Sequence, residues 1–193
     1  MNILINPLPM NYQYNGIEYP FHTDFREWIK VELIMADEEI LPNEKAGIIA
    51  SIIFPKVPQD IKLWDFLIWF YACGKNPPTV KSKKASSKKN TAIYSFEYDD
   101  GYIYSAFIEQ YNIDLTTIDY LHWWKFKAMF KSLHDCKFTD ILGYRSEEID
   151  SKMSEKQKSR IKELKQVYGL PKSLSEQQKI EEIRRINERF MGK

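Results

Sequence analysis

The chain has 193 residues, 44% of them hydrophobic and 15% aromatic, enough for one cored domain plus an extension. Its formal net charge is only +1, so charge gives no argument for nucleic acid or a membrane surface as partner. Two cysteines, Cys73 and Cys136, make no disulfide framework. The opening MNILINPLPMNYQYNG lacks the basic and long apolar regions of a secretory signal. The most apolar window, 61–73, falls short of the ~20 residues that span a bilayer and contains Asp65. The expectation is a soluble intracellular protein.

Residues 1–20 read as short strands. Asn15-Gly16 tolerates the positive φ of a type I′ turn, and Tyr12, Tyr14, Ile17 and Tyr19 alternate around it. Thr23 is a plausible N-cap for a helix from Asp24 to Met35, with Glu27 in its first turn. Pro42-Asn43 opens a second helix, Glu44 to Phe54, carrying Ile48, Ile49, Ile52 and Ile53. A third, Asp60 to Cys73, carries Ile61, Trp64, Phe66, Leu67, Ile68, Phe70 and Tyr71 and is apolar nearly all round. Residues 75–91 differ in kind. Lys81, Lys83, Lys84, Lys88 and Lys89 stand there with almost nothing apolar, which predicts a mobile loop. A basic arm for RNA or an acidic surface is the sharper alternative.

Residues 93–98 fit a strand or a helix start. Asp99 or Asp100 caps a helix with a stripe of Ile103, Ala106, Phe107, Gln110 and Tyr111, ended by Asn112. Thr116 or Thr117 can then cap a helix running to Asp135. Leu121, Trp124 and Ala128 share one face; Trp123, Phe126, Met129, Phe130 and Leu133 share a broader one. Only a strip around Lys127 and Lys131 is polar. A helix so apolar is central, and it is expected to pack on the third helix. Its aromatics are core, or they line a groove for a partner. Beyond Ser146 aromatics almost vanish. Ser154 to Tyr168 reads as a helix with a thin stripe of Ile161, Leu164 and Tyr168. Leu174 to Met191 reads as another, with Ile180, Ile183, Ile186 and Phe190.

The fold class is therefore mainly α. A compact helical domain at 1–150 carries a small N-terminal β-hairpin and the Lys-rich loop at 75–91. A charged helical hairpin or tail follows at 151–193. No metal or cofactor site is expected. His122, His134, Asp135 and Cys136 lack zinc spacing, and Cys136 has no identifiable base. Seven glycines form no phosphate-binding loop. Nothing argues for an enzyme.

Two motif series go further. Asn15-Gly16-Ile17-Glu18-Tyr19-Pro20, Thr23-Asp24-Phe25-Arg26 and Trp28-Ile29 come first. Tyr102-Ile103-Tyr104, Ala106-Phe107, Tyr111, Ile113-Asp114-Leu115, Leu121-His122-Trp123-Trp124-Lys125-Phe126 and Gly143-Tyr144-Arg145 follow. In this order, over roughly residues 1–150, they resemble a bacteriophage family known as gene product fifteen, from long-tailed phages and prophages of low-GC Gram-positive hosts. The resemblance implies a tail-assembly chaperone. It would bind the tape-measure protein in the host cytoplasm, recruit tail-tube subunits, and be absent from the finished virion. A virion component and a nucleic-acid-binding accessory protein are the alternatives. The implied partners are the tape-measure and tail-tube proteins; the charged C-terminal helices offer a surface for either of these or for a second copy of the chain, and no membrane or cofactor is expected. Candidate partner contacts are Asp24, Arg26, Tyr120, His122, Trp123, Trp124, Lys125, Phe126 and Arg145.

Overall fold

The computed structural model describes residues 1–75, 92–171, 181 and 184. The lysines of the 75–91 loop and the helix expected over 174–191 lie outside the described residues, apart from isolated positions. The chain divides into two compact units, Met1–Asp140 and Ile141–Lys193. Described residues form a two-stranded hairpin and helices, the mainly α fold read from sequence.

The hairpin pairs β1 (Asn11–Tyr14) with β2 (Ile17–Pro20), Tyr12 opposite Tyr19 and Tyr14 opposite Ile17. Asn15 and Gly16 both take positive φ, 51° and 75°, as the two-residue turn requires. A lone hairpin is marginal in water, so this one leans on the helices. The Tyr12 ring packs on Phe54 and Phe66, and its hydroxyl donates to the Asp60 carboxylate.

Helix α1 (Phe25–Ala36) is capped by Asp24, whose carboxylate accepts from the Arg26 N–H at 3.0 Å. Thr23 is not the cap, because its carbonyl and hydroxyl are engaged elsewhere. Helix α2 (Pro42–Ile53) starts with proline in its first turn, where a missing N–H costs nothing. Helix α3 (Leu63–Tyr71) is shorter than the apolar run suggested. Asp60 spends its backbone and carboxylate oxygens on a turn to Leu63 and Lys62, and Cys73 and Gly74 leave the helix with left-handed φ. At Gly74 a Cβ would lie 2.6 Å from the Trp124 indole, so only glycine lets the chain pass there.

Residues 96–98 form a turn, which resolves the strand-or-helix ambiguity in favour of neither. Asp99 precedes α4 (Asp100–Tyr111) without capping it, since its carboxylate accepts from the Ser95 N–H instead. Ile103, Ala106 and Phe107 are buried, and Asn112 ends the helix with φ 52°. Helix α5 (Trp123–Lys131) begins six residues later than Thr117 and stops short of Asp135. Asp114 draws Thr116 and Ile118 into a turn, and His122 pairs with Asp24 in an isolated bridge just before the helix. The expected packing of α3 on α5 is present. Trp123 and Trp124 donate their indole N–H groups to the carbonyls of Tyr71 and Phe70. Helix α6 spans Lys137–Ser146.

In the second unit, α7 (Glu155–Tyr168) is opened by a capping box of Ser154 and Gln157. Arg145 donates from Nε to the Tyr168 carbonyl at 2.6 Å, Lys165 donates to the Arg145 carbonyl, and the Tyr144 and Tyr168 rings meet.

Candidate functional site

The most distinctive sequence runs, Thr23-Asp24-Phe25-Arg26 and Leu121-His122-Trp123-Trp124, come together. Asp24 and His122, the N-caps of α1 and α5, face each other across an antiparallel bridge. The Phe25 N–H donates to the Leu121 carbonyl at 2.9 Å, and the Trp123 N–H to the Thr23 carbonyl at 2.7 Å. Two helix starts therefore satisfy one another's orphan amides. Asp24 adds a second acceptor role, taking the Leu121 N–H at 3.0 Å. Its ion pair aims the Arg26 guanidinium at the carbonyls of Leu115 and Ile118, 3.0 and 2.6 Å away. The hydroxyls of Thr23 and Tyr120 share a hydrogen bond at 2.7 Å.

His122 caps α5 with a ring nitrogen. Nδ1 accepts from the Trp124 N–H at 3.0 Å, and Nε2 lies 3.3 Å from the Pro9 carbonyl. A carbonyl only accepts, so Nε2 carries the proton and the neutral ring fits both contacts. Burial holds the imidazole below its ordinary pKa, with the nearby charge of Lys125 acting in the same direction.

Behind the clasp the rings stack. Phe25 lies on Phe126 at 4.9 Å and Phe107 on Phe126 at 5.1 Å, both nearly parallel. Trp124 meets Trp69 edge-on. Lys127, expected in a polar strip, is buried. Its ammonium sits 4.8 Å from the Trp123 ring centre and 3.2 Å from Glu32. Opposite charge and two aromatic faces make that burial tolerable. The same Glu32 oxygen accepts from the Tyr71 hydroxyl at 2.6 Å. Burial first, and then Glu32, push that phenol far above its ordinary range.

The candidate contact residues thus separate by position. His122, Trp123, Trp124 and Phe126 are buried, and a partner cannot touch them without opening the fold. Asp24 and Arg26 are half-buried and occupied with the clasp. Tyr120 and Lys125 are exposed. Arg145 belongs to the second unit. An aromatic groove on α5 is replaced by a filled core.

Open apolar surface lies elsewhere. On α3 and the turn entering it, Ile61, Trp64 and Ile68 stand exposed at i, i+3 and i+7, Ile61 almost fully. Sequence carried the signal, since that helix is apolar nearly all round and its neighbours fully bury only Leu63, Leu67 and Phe70. A cleft of about 340 Å³ opens beside α4, where Ile29, Phe96, Ile103, Leu115 and Phe126 line it together with Asp100, Gly101, Tyr104 and Thr116. Among the described residues no three His, Cys, Asp or Glu side chains gather to hold a metal ion. Nor is any described helix long and apolar enough to cross a membrane.

A family model described as Bacteriophage Gp15 protein matches residues 4–170. No curated protein and no solved structure matches the chain.

Proposed function

The chain belongs to the bacteriophage Gp15 protein family, and on that premise we propose that it is a tail-assembly chaperone. In this reading it binds the tape-measure protein in the host cytoplasm, keeps it soluble and recruits tail-tube subunits. It is then displaced and is absent from the finished virion. It has no catalytic role. A tape-measure protein is a long helical chain with apolar stripes that are insoluble until covered. Its chaperone needs a surface that takes an amphipathic helix by a few anchors.

The observation carrying the reading is the exposed row Ile61, Trp64 and Ile68. Its spacing matches the one-sided stripe of a second helix laid along α3. The row is short and bordered by the charged Lys62 and Asp65, which suits a contact that must later release.

Co-expression with overlapping tape-measure fragments, followed by a pull-down at two salt concentrations, tests it. A soluble complex that persists at high salt is expected, because the contact is apolar. Ile68→Asp should abolish the complex while leaving the fold intact, since Ile68 faces water. Failure to bind or solubilise any fragment sinks the proposal. Recovery of the protein from purified particles would assign it to the virion instead.

A further inference from the structure

The exposed row on α3 is not purely apolar. Asp65 is exposed beside it, four positions after Ile61, three before Ile68 and next to Trp64. Helix positions three and four apart are neighbours, so the carboxylate lies one turn from each isoleucine. Among the described residues Asp65 makes no hydrogen bond and no ion pair. Lys62, the nearest cation in sequence, serves Asp60 instead. Asp60 is held below the ordinary carboxylate range first by the Tyr12 hydroxyl, then by the Lys62 N–H at 2.9 Å, with the Lys62 charge acting the same way. The Tyr12 hydroxyl, which lies within electrostatic reach of Asp65, is likewise donated to Asp60.

An acid early in a helix favours the helix dipole, and on an apolar surface it helps solvation. Neither role needs the acid on this face, since the dipole effect depends on the turn. The position matters once the row is covered. A helix laid over Ile61, Trp64 and Ile68 takes water from the Asp65 carboxylate as well. A charge that loses water without gaining a partner is costly, so the covering helix must supply a cation.

We propose that the tape-measure helix seated on this row carries a lysine or arginine among its apolar anchors, and that this cation pairs with Asp65. The inference rests on the chaperone reading and adds to it the residue that selects the segment bound. Apolar stripes slide past one another, whereas a shift of one helical turn, about 5.4 Å, would take the cation away from Asp65. Charge pairing of this kind fixes register and rejects helices that lack the cation.

Calorimetric titration of the full chain with the tape-measure fragment retained in the pull-down, at low and high salt, tests it. Asp65→Asn keeps the shape and removes the charge, and should weaken binding about tenfold. It should also flatten the salt dependence that the wild type retains, which a purely structural role would not do. Asp65→Lys sets like charges face to face and should weaken binding about a hundredfold. Reversing one lysine or arginine of the fragment to glutamate should restore binding to the Asp65→Lys variant. Asp65 is exposed and makes no bond, so both variants should match the wild type in circular dichroism. A fragment that binds the Asp65→Lys variant as tightly as wild type overturns the ion pair. Loss of binding by Ile68→Asp in the same experiment then leaves the chaperone reading standing. The pair is also overturned if no single reversal in the fragment rescues Asp65→Lys. If no fragment binds the wild type, the chaperone reading falls and the pair falls with it.

Discussion

Helix starts in the two units are built from similar chemistry and hold very different things. Asp24 caps α1 and also accepts from Leu121, 97 positions away, while His122 caps α5 and reaches back to Pro9. At α7 the box of Ser154 and Gln157 closes within three residues, and Lys158 pairs with Glu155 one turn away. Along that helix Ile161 alone is buried. A cap that is also a long-range tie is coupled to the whole core. A cap that closes on itself supports only its own first turn.

The largest effect should come from the core that the clasp aligns. Trp124→Ala removes a ring packed on Trp69 and Phe70 together with an indole bond to the Phe70 carbonyl. A loss of about 3–5 kcal/mol in urea unfolding is expected. A loss below 1 kcal/mol would mean that the aromatic cluster is loosely packed and that the comparison has no basis.

Next comes Asp24→Ala. It deletes a helix cap, frees Arg26, and strands the Leu121 N–H. Cap loss and an unsatisfied amide together should cost about 2–4 kcal/mol, read again by denaturation. Asp24→Asn keeps an acceptor for one amide and should recover part of it. If Asp24→Ala costs no more than a local cap does, the bridge is incidental.

His122 sharpens the same point through pH. Its folded pKa lies below the unfolded value of about 6.5, so the unfolded state binds the proton more readily. The stability from the neutral ring is fully present above about pH 6.5 and is lost as pH falls toward the folded pKa. Protonated Nδ1 can no longer accept from Trp124, so α5 should lose its cap in that window. His122→Asn keeps a good cap without a titrating group and should flatten the pH dependence. An unchanged profile would place the responsible group elsewhere.

What could be read from sequence follows the same divide. The hairpin, α2, the α4 stripe and the Ser154 start rest on neighbours within a few positions. There Asn15-Gly16, Pro42, and Ile103 with Ala106 and Phe107 are sufficient signals. The start of α5 was not legible. Thr116 and Thr117 look like caps until Asp114 claims a turn and residue 122 pairs with residue 24. Lys127 looks solvated until Glu32, 95 positions away, meets it. The most distinctive motifs were visible, but their burial was not, because a run such as Trp-Trp-Lys-Phe reads the same facing water or core. Trp64 and Trp124 show this directly: both sit in apolar runs, and only the second is covered.

The smallest expected effect belongs to the second unit. Ser154→Ala removes the hydroxyl half of the capping box, in which Ser154 Oγ accepts from the Gln157 N–H, while the Ser154 N–H still donates to the Gln157 side chain. The cost should be about 1 kcal/mol, at the middle of the range for a cap. It should appear as faster amide exchange in the first turn of α7, around Gln157 and Lys158. The exchange of Phe126 and Phe130 in α5 should not change, because no bond of Ser154 leaves its own turn. Asp24→Ala should do the reverse, lowering protection through α1 and α5 together. If Ser154→Ala also loosens α5, the cap of α7 is as deeply coupled as the clasp, and position in the chain would not separate local from global support.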